Sequence, residues 1–363
     1  MIPASLYVYI YLIIVTIITI SYLPNHLKTI LIRTPQKQKQ EMLSALFLTL
    51  FMIIFVGFRP ISGDFGDMPG YAYAMLDHRF EYVDKTWSNN FVFVTMMSFL
   101  SSIGSNEHVP IILLAFINFG ATFFAMKRLF PNDVLLAMLV FFAAFSTFGA
   151  ATNGLKAGCA MAIFLIALSY RNDKKMFLLF LFLSIGFHHS MQLPIVAYIT
   201  CYYYKKTKNY LFFWFLCLLL SALHVQYFMN FFSGITDDQG ASYLTTPQNN
   251  FDYTGKVGFR LDFIIYSSIP IIIGYIAIIK KKIRSSMYQF LFNVYLLTNG
   301  IWLLCMYAEF TNRIAYLSWG MIPILILYPF IHCNWGKDKY NVLFYIVMGH
   351  LSFTLFMEFI FYS

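Results

Sequence analysis

"SLYVYIYLIIVTIITISYL", Ser5–Leu23, contains no charged residue, no proline and no glycine. A helix over it, rising 1.5 Å per residue, reaches across the roughly 30 Å of hydrocarbon in a bilayer. No basic segment precedes it, the apolar run is long, and no small-x-small site follows, so it reads as a membrane span and not as a removable leader. Comparable apolar runs follow at 42–58, 107–126, 132–149, 153–170, 176–190, 191–204, 210–228, 261–279, 285–306, 315–332 and 341–361. The two around 190 are short.

Composition agrees with that reading. Hydrophobic residues make up 60% of the 363 and charged residues 11%, against about 25% charged in an ordinary soluble protein. So little charge cannot cover a soluble surface, and the runs are too long for barrel strands. The expected fold is all-α: one polytopic membrane domain over 1–363, with about 12 transmembrane helices and outward-facing loops that carry interfacial helices. The five cysteines, Cys159, Cys201, Cys217, Cys305 and Cys333, are odd in number and irregular in spacing, which points to neither a disulfide framework nor a metal site. The net charge of +9 fits basic cytoplasmic loops better than nucleic acid.

Eighteen of the 25 Lys and Arg residues fall in the connections between alternate pairs of runs, which assigns those connections to the cytoplasm. The alternation requires that Asn90–Gly104 does not cross, so this stretch is expected as an interfacial or re-entrant helix. Both termini then lie outside. Of the acidic residues only Glu41, Asp133, Asp173 and Asp338 are cytoplasmic. Two longer outer loops, 59–106 and 228–260, place the functional chemistry outside the cell.

Charged residues at membrane edges are costly and default to functional candidates. Arg59 ends the second run and leads into "ISGDFGDMPGYAYAM", Ile61–Met75, with Asp64 and Asp67 three residues apart. Lys156 lies about one turn into an apolar helix opened by Asn153-Gly154, beside small residues that permit close helix packing. His188-His189-Ser190 occupies the turn between the two short runs, an interruption of the kind that marks binding sites. Arg313 follows Asn312 just outside the eleventh span, with Tyr316 nearby. Each has a plain alternative: an interfacial cation, a solvated loop, a structural histidine. Five such features on one face suit an anionic phosphate, which Arg grips in bidentate fashion. A histidine beside it is suited to accept a proton, and aromatic loops to stack on sugars. Together they indicate a lipid-linked pyrophosphate.

The chain resembles the EpsG family of polysaccharide polymerases, related in role to the Wzy O-antigen polymerases. The resemblance is carried in order by Arg59 with the Gly-Asp…Tyr71 element, by "NGLKAGCAMAI" (Asn153–Ile163), by "GFHHS" (Gly186–Ser190), in which His188 is the matching histidine, and by "NRIAY" (Asn312–Tyr316). It covers roughly Arg59–Tyr316. It implies a metal-independent glycosyltransferase of the bacterial cytoplasmic membrane, without cofactor, whose site faces the periplasm or exterior. The donor is a growing glycan on undecaprenyl pyrophosphate, a second lipid-linked repeat unit supplies the acceptor hydroxyl, and a chain-length regulator is a possible partner. His188, Asp64 and Asp67 are the catalytic candidates, with the base open among them and Asp64 and Asp67 both fitting the Gly-Asp register. Arg59, Tyr71, Asn153, Lys156, Ser190, Arg313 and Tyr316 are the substrate-binding candidates. Lys156 stands where the family usually has arginine, which leaves point-charge attraction in place of a bidentate grip.

Two rival readings are kept. One is a glycosyltransferase using a polyprenyl monophosphate sugar, with Asp64 and Asp67 on a divalent metal. The other is a transporter or flippase for lipid-linked glycans. Polar groups gathered at one face, without internal repeats, weigh against transport.

Overall fold

Hydrocarbon leaves backbone amides no partner but the chain itself. In the computed structural model, which describes residues 2–31, 34–86, 89–225, 227, 258–308 and 311–362, the regular elements are all helical. In chain order they are α1 (Tyr7–Thr29), α2 (Pro35–Gly57), α3 (Met68–Leu76), α4 (Phe91–Ser102), α5 (Val109–Leu129), α6 (Val134–Phe142), α7 (Phe145–Thr152), α8 (Leu155–Ser169), α9 (Lys174–Phe187), α10 (Gln192–Tyr203), α11 (Thr207–Ala222), α12 (Leu261–Tyr275), α13 (Ser286–Leu304), α14 (Thr311–Trp319), α15 (Ile322–Ile331) and α16 (Lys339–Phe356). The starts follow local chemistry. Thr34 caps α2 by accepting from the Lys37 amide, with Pro35 in the first turn, and Ser285 caps α13 through the Tyr288 amide. The outer loop expected at 228–260 lies outside the described residues apart from its last three positions.

Among the described residues six helical segments are long and apolar enough to cross a membrane: Ala4–Thr29, Pro35–Gly57, Val109–Leu129, Leu261–Lys280, Thr311–Ile331 and Lys339–Phe361. A seventh is added if α6 and α7, bent by 74°, count as one crossing. The protein is therefore an integral membrane protein, and the expected count of about twelve crossings is not confirmed. The reason is length and polarity. Where further crossings were expected, α8, α9, α10 and α11 have 15, 14, 12 and 16 residues, which is only about 18–24 Å of helix. The 19-residue α13 interrupts its apolar surface with Asn293, Thr298 and Asn299. The stretch expected as an interfacial helix at 90–104 does form a helix, α4.

The α6–α7 break shows how irregular backbone is accommodated. Three carbonyls around Ala143-Ala144 accept from hydroxyls, and Phe141 O also takes the Ala144 amide at 3.1 Å. Tyr11 Oη donates to Phe142 O at 2.8 Å, Thr354 Oγ1 to Ala143 O at 2.7 Å, and Thr147 Oγ1 to Phe141 O. All three bonds are buried, so the bend leaves no bare carbonyl there. It turns the chain toward Asn153 and Lys156.

The chain divides into two units. The first comprises Met1–Lys85, Phe91–Phe187 and Gly336–Ser363, and the second Thr86–Asn90 and His188–Trp335. Within the first, α5 packs on α2 and α8, and α8 on α9. The α5–α8 contact uses Gly158, where a Cβ would fall 2.8 Å from Asn118 Nδ2. Near the N-terminal end of α2, His26 is set between two carboxylates. Its Nδ1 lies 3.1 Å from Glu41 and its Nε2 3.2 Å from Asp133, and Tyr22 Oη donates to Glu41 at 2.6 Å. His26, Glu41 and Asp133 are all buried. In the second unit α13 packs against α10, α11 and α14.

Candidate functional site

In the first unit the groups gather around the C-terminal ends of α2 and α7. Arg59, two residues past α2, is fully buried at 0% exposure. Its guanidinium donates to Val56 O at 2.6 Å and to Thr152 O at 3.2 Å, the exposed carbonyl ends of α2 and α7. A cation is favoured at such ends, where the carbonyl dipoles point outward. Its Nε has no hydrogen-bond partner, and burial pushes its pKa down to about 9, which leaves it charged at neutral pH. The Phe65 ring lies 5.1 Å from the guanidinium carbon and packs edge-on to Tyr7.

Phe65 closes the short 3₁₀ turn Gly63–Phe65, which Ser62 caps by accepting from the Asp64 amide at 3.3 Å. Gly66 follows with φ +58°, and a Cβ on it would lie 2.1 Å from Asn153 Oδ1. The left-handed backbone and the close approach together require glycine. Thus "GDFGD" is seated against the asparagine that precedes Lys156, 87 positions away in sequence. Asp64 is exposed and Asp67 half-buried. A second link runs through Phe93 of α4. Its ring meets Tyr71 at 5.5 Å and lies 5.7 Å below the Lys156 ammonium. Phe93 is 2% exposed, whereas Lys156 and Tyr71 keep part of their surface open.

The second unit carries the remaining candidates. His188 is extended, with φ −149° and ψ 118°, and leads into the 3₁₀ turn His189–Met191. Asn90 Oδ1 accepts from the His189 amide at 2.7 Å. His188 and Ser190 are both part-exposed. The α14 helix packs on this turn and on α10, which places Arg313 and Tyr316 on the element that touches the histidine turn. The start of α14 is held by Trp302, whose Nε1 donates to Thr311 O at 3.1 Å and to Thr311 Oγ1 at 3.0 Å. Its end is held by a polar knot. Trp319 Nε1 donates to Ser267 Oγ at 2.8 Å. Asn299 donates to Ser267 and Ser318 at 3.2 and 3.0 Å and accepts from Trp214 Nε1 at 2.8 Å. Arg313 is part-exposed, and Tyr316 accepts from Asn312 Nδ2 at 3.3 Å. Arg260 is different. It is bound through two nitrogens to Asp262, at 3.0 and 2.7 Å, and stacks over Phe263.

The structure therefore joins Arg59, the Asp64–Asp67 turn, Tyr71, Asn153 and Lys156 within one unit, and His188, Ser190, Arg313 and Tyr316 within the other. Sequence reasoning missed Phe93, which no local pattern marks. It also missed Asn90, although "SNN" (Ser88–Asn90) is a turn signal. Among the described residues no three His, Cys, Asp or Glu side chains gather in a way that would hold a metal ion. The model of the EpsG family matches residues 42–363. Neither the curated proteins nor the solved structures contain a match.

Proposed function

Because the chain belongs to the EpsG family, the Wzy-like polymerase family, we propose that it joins undecaprenyl-pyrophosphate-linked oligosaccharide repeat units by glycosyl transfer at the outer face of the bacterial cytoplasmic membrane. The observation that supports this most directly is the docking of the acidic turn on Asn153 through Gly66, with Phe93 joining Tyr71 to Lys156. Two motifs far apart in sequence thereby form one polar rim bearing a carboxylate pair, an aromatic ring and a cation.

In this reading the acceptor sugar's hydroxyl oxygen attacks the anomeric carbon of the donor glycan. The bond from that carbon to the lipid pyrophosphate breaks, and its electron pair stays on the departing phosphate oxygen. Lys156 and Arg313 stabilise the charge that builds there. The hydroxyl proton passes to His188, an imidazole being suited to accept a proton at neutral pH, or to Asp64 or Asp67. Tyr71, part-exposed, offers a face to the sugars, whereas Tyr316 is buried against Trp319 and contributes through packing. Arg59 contributes through the turn that it holds, since its guanidinium has no exposed surface.

The test uses purified full-length protein with lipid-linked repeat units and reads product length on gels. Wild type yields a ladder of polymers. Lys156→Gln and Arg313→Ala leave single repeats on the lipid. A full ladder from both variants would overturn the charge-stabilisation role.

A further inference from the structure

We propose that Asn90 is a positioning residue for the histidine turn: from a distant segment it fixes the amide that follows His188, and with it the backbone that carries the imidazole. The proposal rests on the polymerase reading above. The first amides of a helical turn have no partner inside it, and the residue at the cap usually supplies one from its own side chain, most often Ser, Thr, Asn or Asp. Here the cap residue is His188, and its side chain makes no capping bond. The first amide of the turn is held from outside by Asn90, 99 positions before His189, whose Oδ1 accepts from that amide at 2.7 Å.

Two further features show that Asn90 is shaped for this task. It is 3% exposed, so its carbonyl oxygen is taken out of water and aimed inward. Its φ is +55°, in the left-handed region that Asn and Gly occupy far more readily than other residues. Asn is then the residue that supplies both the backbone shape and the acceptor. Gly supplies the first alone, and Asp keeps the acceptor. The bond fixes the amide that follows His188, and with it the extended backbone from which the imidazole projects.

These differences set the experiment. Asn90→Gly, Asn90→Asp and Asn90→Ala are made in the full-length protein, and each is measured for monodisperse yield in detergent and for kcat and KM on lipid-linked repeats across pH. Asn90→Gly should fold with normal yield and lose about tenfold in kcat with KM little changed, which is about 1.4 kcal/mol at the transition state. The acid limb of its pH profile should shift, because the imidazole's setting changes. Asn90→Asp should recover most of the rate, and Asn90→Ala should be the weakest. Full kcat in Asn90→Gly would overturn the proposal, and so would an Asn90→Asp no better than Asn90→Gly. Poor yield of Asn90→Gly would assign the residue to folding and overturn it as well. His188→Ala separates the two levels. If it polymerises at the wild-type rate, the base assignment fails. If it is inactive while Asn90→Gly is fully active, only the positioning proposal fails.

Discussion

The two ends of the first unit handle buried charge in opposite ways. Helix α2 connects them, with Glu41 in its second turn and Arg59 just beyond its last, about 27 Å apart along the axis. At the Glu41 end the charges are mutually satisfied: two carboxylates enclose an imidazole, and a tyrosine hydroxyl completes the set. At the Arg59 end a fully buried guanidinium is met by two backbone carbonyls and by no carboxylate among the described residues. Carbonyl dipoles hold a cation without cancelling its charge. The first end is a closed lock. The second projects positive potential toward a turn that carries exposed groups, and that is where an anionic substrate would be drawn.

The strongest way to break this contrast is His26→Ala. Removing the imidazole leaves Glu41 and Asp133 buried without it, and the loss of stability should be about 3–5 kcal/mol, read from thermal unfolding in detergent. An unchanged melting temperature would show that the lock carries no load. Next comes Gly66→Ala, which drives a methyl into Asn153 and forces an unfavourable φ. It should cost about 1–3 kcal/mol. Adding Asn153→Ala should recover part of that cost, and a non-additive double-mutant cycle is the check.

Lys156→Gln sharpens the contrast from the functional side. The cation–π contact at a part-exposed site is worth about 1 kcal/mol or less, so stability should barely change while polymer output falls at least tenfold. Equal losses of stability and output would make Lys156 structural. The smallest effect is expected at Glu81, where hydrogen bonds from His78 and Ser101 hold the carboxyl below its ordinary range. A carboxylate with a lowered pKa stabilises the fold above its unfolded value of 4.5, and the benefit fades as pH drops through the lowered one. Protection factors over 77–82, corrected for the intrinsic exchange rate at each pH, should therefore fall in acid, and Glu81→Gln should flatten that dependence.

Much of this architecture was legible in the sequence because a bilayer permits so few solutions. Among the described residues the apolar runs are mostly helix, and Gly158 packs α8 as its small neighbours implied. The number of crossings was not legible. The break at Ala143-Ala144 depends on Tyr11 and Thr354, 131 and 211 positions away, and no window of neighbouring residues reveals such partners. The candidate residues were found as types, but their duties were not. Arg59 has the sequence context of a surface arginine and is wholly interior. Glu41 and Asp133 counted only as acids among basic loops, although Glu41 with His26 in the last turn of α1 was a visible hint of pairing. Asn90 carried only the mark of a turn.

The sealed bend between α6 and α7 also sets an order of events during synthesis. One of the hydroxyls that close it comes from α1 and another from α16, far later in the chain. Until Thr354 arrives, the Ala143 carbonyl must share a proton with water or remain bare in lipid. The unit that carries the acidic turn therefore reaches its final form only after α16 has been translated, and a nascent chain halted before α16 should be held open, within reach of insertion factors and proteases.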